Sequence, residues 1–147
     1  MKGYGFGIWI IPNQELSHPK IKHIPHITIM CNVLNKKELD DIYVEIKKKM
    51  GNTFIIKFGG DCVEFTSQYS NDPLSASGFN CTCDKWNELK DICEKYDGSF
   101  SYKPHLSYYY SKNKEDLEYK NTLSRQLICT LKKADINSED CTKWYLL

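Results

Sequence analysis

PHIT at residues 25–28 and PHLS at residues 104–107 are near copies of one tetrapeptide, and each opens a run of apolar and β-prone residues. Successive side chains of a strand point to opposite faces, so positions i and i+2 share a face. Each copy therefore places an imidazole and a hydroxyl on one face of a strand. The two pairs are His26 with Thr28 and His105 with Ser107. A doubled unit of this kind suits the cleavage of a phosphodiester, which needs a proton acceptor, a proton donor and groups that hold an anion.

The composition argues against binding to long nucleic acid. The 147-residue chain has 20 basic and 19 acidic residues, a net charge of +1, and Arg125 as its only arginine. Proteins that bind polymeric nucleic acid more often carry an Arg-rich basic stripe and a high pI. A nucleotide ligand is therefore expected to be small. The length suits one domain, and we expect a monomer.

We expect neither a membrane span nor a metal site. No apolar stretch approaches the ~20 residues that cross a bilayer. The apolar run at 6–11 ends at Pro12 without a cleavage-site pattern, so we expect a cytoplasmic protein without an export signal. The seven cysteines are odd in number and irregularly spaced, which is typical of reduced, small hydrophobic residues. Cys81-Thr82-Cys83 is too tightly spaced for a zinc knuckle, and we predict no metal and no cofactor.

Patterns of apolar and polar residues predict an α+β domain in two similar halves. Strands are predicted at residues 4–11, 26–33, 53–58, 62–66, 74–81, 102–110, 126–132 and 142–146, and helices at residues 36–50, 84–96 and 114–123. Asn35 is the predicted N-cap of the first helix. No low-complexity linker separates the halves, so residues 1–147 are predicted to form a single domain with internal pseudo-symmetry.

The paired motifs resemble those of the 2H phosphoesterase superfamily, which includes RNA 2′,5′-ligase-like (LigT-like) proteins and plant-type cyclic phosphodiesterases. Residues 4–12, YGFGIWIIP, are similar to the first strand of the cyclic phosphodiesterase branch, which carries a Trp and ends in a Pro. Residues 104–110, PHLSYYY, are similar to its second motif, with a Tyr five positions after the His. The tail from residue 127 to Trp144 resembles its final strand, acidic turn and terminal Trp.

This resemblance implies a bilobal fold in which two antiparallel sheets form a central groove with helices outside, and the motifs face each other across the groove. It also implies metal-free acid–base catalysis by His26 and His105. One imidazole takes a proton from water and the other gives one to the departing alkoxide, which suits a group with an unperturbed pKa of ~6.5. Thr28 and Ser107 would hydrogen-bond the phosphate oxygens. Which histidine is the base stays open.

The resemblance further suggests residues that bind the substrate. Trp9 and Tyr110 match family residues that contact the phosphate or sugar. Strict alternation along the strand would place Tyr109 on the site face instead, and a strand end or a bend after Ser107 would reconcile the two. A platform for the base is expected within residues 65–79, and Tyr69 is our choice. The aromatic residues considered there are Phe65, Tyr69 and Phe79.

Simpler interpretations exist for several of these residues. A single His in an apolar strand usually packs with a satisfied nitrogen, and the duplication is what argues against this for His26 and His105. His18 and His23 fall in a polar loop at spacings that form no standard metal-binding face, so we expect exposed histidines there. The other two tryptophans, Trp86 and Trp144, are interpreted as core residues.

Three functions are compatible with the motifs. The first is hydrolysis of a cyclic phosphate or 2′-linked phosphodiester on a small nucleotide, such as a 2′,3′-cyclic nucleotide or ADP-ribose cyclic phosphate. The second is the same reaction on a signalling nucleotide, a cyclic dinucleotide such as cGAMP or 2′,5′-oligoadenylate, as an antagonist of host immunity. The third is a non-catalytic nucleotide-binding module, against which two intact motifs argue. We predict the first, a cyclic nucleotide phosphodiesterase.

Overall fold

Strands dominate the part of the chain that the structure describes. The computed structural model describes residues 4–14, 24–58, 63–66, 75–111, 126–138 and 143–147. The strands are β1 (Phe6–Pro12), β2 (His26–Val33), β3 (Thr53–Phe58), β4 (Val63–Thr66), β5 (Ser75–Thr82), β6 (Ser99–Phe100), β7 (His105–Ser111), β8 (Gln126–Asp135) and β9 (Tyr145–Leu146), and the helices are α1 (Lys36–Met50) and α2 (Trp86–Cys93). The described strand pairings are antiparallel, so the predicted α+β class is confirmed.

Helix α1 has the bounds that the sequence predicts, because both of its ends carry strong local signals. The Asn35 side chain accepts a hydrogen bond from the backbone N–H of Glu38 at 2.8 Å, which confirms the predicted N-cap. Gly51 follows the helix at φ 83°, a conformation that favours glycine. One side of this helix is apolar, and its fully buried residues are Leu39, Ile42 and Ile46.

Other elements differ from their predicted bounds by a few residues. Helix α2 ends at Cys93 rather than at residue 96 because the chain turns there. Strand β7 begins at His105 rather than at 102, and β8 continues past 132 to Asp135. The two-residue strand β6 is not predicted. The predicted helix at 114–123 lies outside the described residues.

The described strands form one sheet that closes on itself. Its order is β1-β2-β7-β5-β3-β8, and β8 pairs back onto β1, while β9, β4 and β6 add to β8, β5 and β2. The strands fall into two groups, β3-β8-β1-β2 and β4-β5-β7. Within each group, neighbouring strands pair over at least four residue pairs. The two groups meet at the β2–β7 and β3–β5 pairings, each of two residue pairs. The predicted division into two sheets around a groove stays a prediction.

One face of this sheet packs against both helices. Alternate residues of the strands meet apolar residues of α1 and α2 in one large cluster. In β2 and β7, Ile27, Ile29 and Leu106 are fully buried in it. Burying each such side chain stabilises the fold by about 1.5–3 kcal/mol relative to exposure. A one-residue slip of either strand would lose this burial, so the core determines which side chains the opposite face carries.

A polar contact joins α1 to the turn that follows α2. The Glu45 carboxylate of α1 accepts hydrogen bonds from Lys49 at 2.9 Å, from the Tyr96 hydroxyl at 2.7 Å and from Lys95. These donors hold the pKa of Glu45 near 2, the Lys95 contact being the largest cause. Nearby, the Glu38 carboxylate accepts from the backbone N–H of Asp97 at 3.0 Å. Helix α1 therefore anchors this turn at two points.

The five cysteines within the described residues are free thiols. Burial raises the pKa of Cys31 to about 11. The same cause raises the pKa to about 12 for Cys81, Cys93 and Cys129. These thiols stay protonated near neutral pH, which makes them poor nucleophiles and metal ligands.

Neither described helix combines the length and the apolar character that crossing a bilayer requires.

Candidate active site

The two motifs lie side by side on hydrogen-bonded strands. In the β2–β7 pairing, His26 is directly opposite Ser107. Residues opposite each other in a sheet share a face, as do residues two apart on one strand. The structure therefore brings His26, Thr28, His105 and Ser107 onto the same face, which we call the motif face. The packed core lies behind the opposite face.

The two motifs lie closer together than the resemblance to the 2H phosphoesterases implies. Motifs that face each other across a groove would belong to separate sheets, whereas here the two motif strands share backbone hydrogen bonds. The difference arises because β2 and β7 form one of the two short joints between the strand groups. Strands in a sheet lie about 4.8 Å apart, so one small ligand can reach both motifs.

Each imidazole is held by the same type of hydrogen bond to the backbone. His26 Nδ1–H donates to the Ile24 carbonyl at 2.7 Å, and His105 Nδ1–H donates to the Lys103 carbonyl at 3.0 Å. A carbonyl only accepts, so the hydrogen of each neutral ring lies on Nδ1 and Nε2 is the basic nitrogen. In both motifs a proline separates the His from the tethering residue. The proline restricts that residue to extended conformations, which explains why the contact recurs.

Burial distinguishes the two histidines. His26 is 2% exposed, whereas His105 is only partly buried. The His26 ring stacks on the Trp9 indole, with ring centroids 3.7 Å apart and planes 9° apart. The Trp144 ring makes a T-shaped contact with His26, with ring centroids 6.0 Å apart and planes 73° apart. His26 therefore lies in an aromatic pocket.

Trp9 belongs to the motif face, since it pairs with Thr28, but its side chain is not exposed. It is fully buried in a small cluster of apolar residues separate from the main core, and this cluster contains Tyr4, Trp9, Ala134, Ile136 and Trp144. Trp144 is buried, as the sequence predicts, but its contact with His26 was missed. This contact joins residues far apart in the chain, so no local sequence pattern indicates it. The predicted contact of Trp9 with substrate stays a prediction.

The register of β7 explains how Tyr110 can be preferred to Tyr109. Gly78 of β5 pairs with Ser107, but the next residue, Ser77, pairs with Tyr109, so β7 has one extra residue at this point. A bulge of this kind interrupts strict alternation. It is the irregularity that the choice of Tyr110 requires, although the side chain of Tyr110 lies outside those that the structure describes.

Of the three aromatic residues considered as a platform for the base, the structure describes the side chain of one, Phe79. Phe79 is 3% exposed, belongs to the main core and pairs with Leu106 on the face opposite the motifs, so its consideration as a platform is wrong. Period-two alternation in β5 places it there. Tyr69 lies outside the described residues, as does the side chain of Phe65.

Strand β5 adds two residues to the motif face that sequence reasoning missed. Asn80, which is exposed, pairs with His105, and Gly78 pairs with Ser107. The amide of Asn80 can donate or accept a hydrogen bond beside His105. Gly78 places no side chain opposite the Ser107 hydroxyl. Neither residue carries a local signal, because both placements depend on the register between β5 and β7.

The motif face carries positive charge. Trp9 pairs with Thr28 on one side and with Lys132 on the other, and Lys57 pairs with Thr82 on β5. Lys132 is exposed, and Lys57 lies 4.0 Å from the Asp84 carboxylate in the next turn. Among the described pairs that belong to this face, the charged residues are these two lysines. Such a face favours an anionic ligand.

Within the described ranges, no three His, Cys, Asp or Glu side chains are grouped so that they could hold a metal ion.

No protein-family model matches this chain, and a search of curated proteins finds no significant match. The functional assignment therefore depends on the geometry of the motifs and on their resemblance to the 2H phosphoesterases.

Proposed function

We propose that this protein is a metal-independent phosphodiesterase of the 2H type, which hydrolyses a cyclic phosphate or 2′-linked phosphodiester on a small nucleotide. The observation that carries the proposal is the direct pairing of two His-x-hydroxyl units whose imidazoles have the same backbone tether. The tether follows locally from the proline before each His, whereas the direct pairing of the two motifs does not follow from the repeat.

The chemistry uses both imidazoles. One Nε2 takes a proton from the attacking water, and the other imidazole, in its charged form, gives a proton to the departing alkoxide. The Nδ1 tethers suit this role, because they keep Nε2 as the working nitrogen in each ring. Which histidine is the base and which is the acid depends on which ester bond is cleaved.

The hydroxyls and lysines of the motif face suit the negatively charged phosphate of the substrate. Thr28 and Ser107 lie beside the histidines on the motif face and can donate to non-bridging phosphate oxygens, where charge develops in the transition state. Ser107 is 3% exposed, so a hydrogen bond there is little weakened by water. Lys132 adds longer-range attraction for a phosphate.

We also propose that the chain adopts the bilobal fold of the 2H phosphoesterases, and the strand arrangement supports this. Two lobes predict two well-paired groups of strands with short joints between them. Within the described residues the groups meet at the β2–β7 and β3–β5 pairings, and the motifs lie at the first of these. In this proposal the joint forms the floor of the site, and the helices cover the opposite face.

A substrate panel tests the proposal. Wild-type protein in excess EDTA is incubated with 2′,3′-cyclic mononucleotides, ADP-ribose cyclic phosphate, cyclic dinucleotides and 2′,5′-oligoadenylate, and products are separated by chromatography. We expect a mononucleotide-sized cyclic phosphate to be opened despite the chelator, and a His26→Gln/His105→Gln double variant to be inactive. Activity on a cyclic dinucleotide or oligoadenylate alone would select the signalling-nucleotide alternative.

Two outcomes contradict the proposal. Activity that disappears with EDTA and returns with added zinc or manganese would exclude the metal-free mechanism. Binding of nucleotides by calorimetry without any turnover would instead identify a binding module.

A further inference from the structure

We infer that Trp9 is a positioning residue for His26, which holds the imidazole in one orientation and acts on a substrate only through it. The part of this inference that concerns turnover rests on the proposed function. The part that concerns the imidazole itself does not.

Three contacts restrict the His26 ring. The Nδ1–H bond to Ile24 holds one edge at 2.7 Å, the Trp9 indole lies parallel to the ring at 3.7 Å, and the Trp144 ring stands at 73° to it. The ring torsion of a histidine is intrinsically broad, so neighbours must determine it. Together these contacts restrict the plane of the ring and hold its Nδ1 edge toward Ile24.

The burial of Trp9 argues against direct contact with a substrate. Its side chain is 0% exposed, and it is packed in the small cluster with Tyr4, Ile136 and Trp144. The adjacent Gly7 is also tightly packed, since a Cβ there would lie 3.1 Å from Ile136 Cδ1 and 3.5 Å from Trp9 Nε1. The indole is therefore enclosed by protein side chains, and one of its faces is covered by the stacked His26 imidazole.

The indole nitrogen indicates that packing alone does not account for Trp9. Within the part of the chain that the structure describes, Nε1 is buried without a hydrogen-bond partner. Burying such a donor unpaired carries a desolvation cost that a phenyl or aliphatic side chain would avoid. A broad, flat ring that covers the whole imidazole provides a reason for indole at this position.

Kinetics of Trp9→Phe and Trp9→Leu test the inference, with Trp86→Leu as the matched control. Trp86 is also buried, but it lies on α2 in the main core, where its Nε1–H donates to the Ser101 carbonyl at 2.8 Å. We expect Trp9→Leu to lower kcat by about 10–10²-fold with little change in KM, because small displacements of a reacting group cost up to ~10² in rate. Trp9→Phe should fall between Trp9→Leu and wild type, and Trp86→Leu should keep wild-type kcat. A raised KM with unchanged kcat in Trp9→Leu would show that Trp9 contacts substrate directly and would overturn the inference.

NMR of the imidazoles tests the inference without turnover. With resonances assigned by His→Gln variants, we expect the His26 ring protons of wild type to be shifted upfield by the stacked indole and the ¹⁵N signals to report the Nδ1–H tautomer. Trp9→Leu should abolish the upfield shift. Wild-type His26 signals at unstacked positions would overturn the inference even if the enzyme is active. A stacked His26 in a protein that cleaves no substrate would leave the positioning intact and reject only the proposed function.

Discussion

Each site histidine is held by the residues just before its strand, through a hydrogen bond from Nδ1–H to a carbonyl two residues earlier. Because both motifs form this contact, the two imidazoles are tethered to the backbone in the same way. Local residues suffice to form it, since a proline stands between donor and acceptor in both motifs. The hydroxyls two residues later follow from strand alternation alone.

Removing either hydroxyl should weaken catalysis less than removing either imidazole. Thr28→Val and Ser107→Ala each delete one hydrogen bond to the phosphate, and in a well-ordered anion site such a bond is worth about 2.7–4 kcal/mol in the transition state. We therefore expect kcat/KM to fall by roughly 10²–10³, measured on the substrate that the panel identifies. Wild-type kcat/KM in both variants would show that these hydroxyls do not bind the phosphate.

The rate should depend on pH through two groups. One imidazole must begin neutral and the other protonated, so the profile of kcat/KM against pH should be bell-shaped. Thr28→Val should leave both limbs in place, because a hydroxyl does not titrate in this range. A flat profile from pH 5 to 8, with chemistry shown to be rate-limiting, would argue against the two-histidine mechanism.

Sequence reasoning predicted the four motif residues because their placement is local. It did not predict the aromatic pocket around His26, because Trp9 and Trp144 reach it from opposite ends of the chain. Asn80 was missed for the same reason, since its proximity to His105 depends on strand register.

At the scale of elements, the contact between α1 and the turn after α2 should depend on pH. The pKa of Glu45 is lowered to about 2 by its donors, Lys95 first, so its contribution to stability is complete above its ordinary pKa of 4.5. That contribution is lost as the pH falls from about 4.5 through about 2.

Glu45→Gln should therefore destabilise the protein near neutral pH and make little difference near pH 2. The side chain is 19% exposed and its donors are largely solvated, so we expect a loss of only about 1–2 kcal/mol in the free energy of unfolding. Urea unfolding at pH 7 and pH 2 measures it, with the exposed Glu88→Gln on α2 as control. An equal deficit for Glu45→Gln at both pH values would contradict the assigned pKa.

Element boundaries were predictable where a capping residue marks them. Helix α1 has both an N-cap side chain and a glycine at its end, and its predicted bounds are confirmed. Helix α2 has no side-chain cap, and its predicted end is wrong. Strand β6 is two residues long and exists through pairing with Met30 and Cys31, which no local pattern announces.

At the scale of the whole molecule, the site lies where the two groups of strands meet. The β2–β7 joint carries His26 and Ser107 in one pair, so neither group of strands alone contains a complete site. We expect activity and far-UV circular dichroism to be lost together in urea, in one transition. Loss of activity at lower urea than the spectroscopic change would show that the joint opens before the strands unfold.

The closed sheet could not be predicted from the sequence. Pairing of β1 with β8 joins residues 117–129 positions apart, and pairing of β2 with β7 joins residues 79–81 positions apart. Periodicity reports only which face of a strand is apolar. The α+β class was predictable because it requires only the number and type of elements.

The most direct test of the central claim is a single-turnover measurement with three matched histidine variants on the substrate that the panel identifies. His26→Gln and His105→Gln should each lower the rate of the chemical step by about 10²–10⁴, since each removes one proton-transfer group. The control His23→Gln, outside the motifs, should react at the wild-type rate. If either motif variant retains the wild-type rate while remaining folded, the two-histidine mechanism is contradicted.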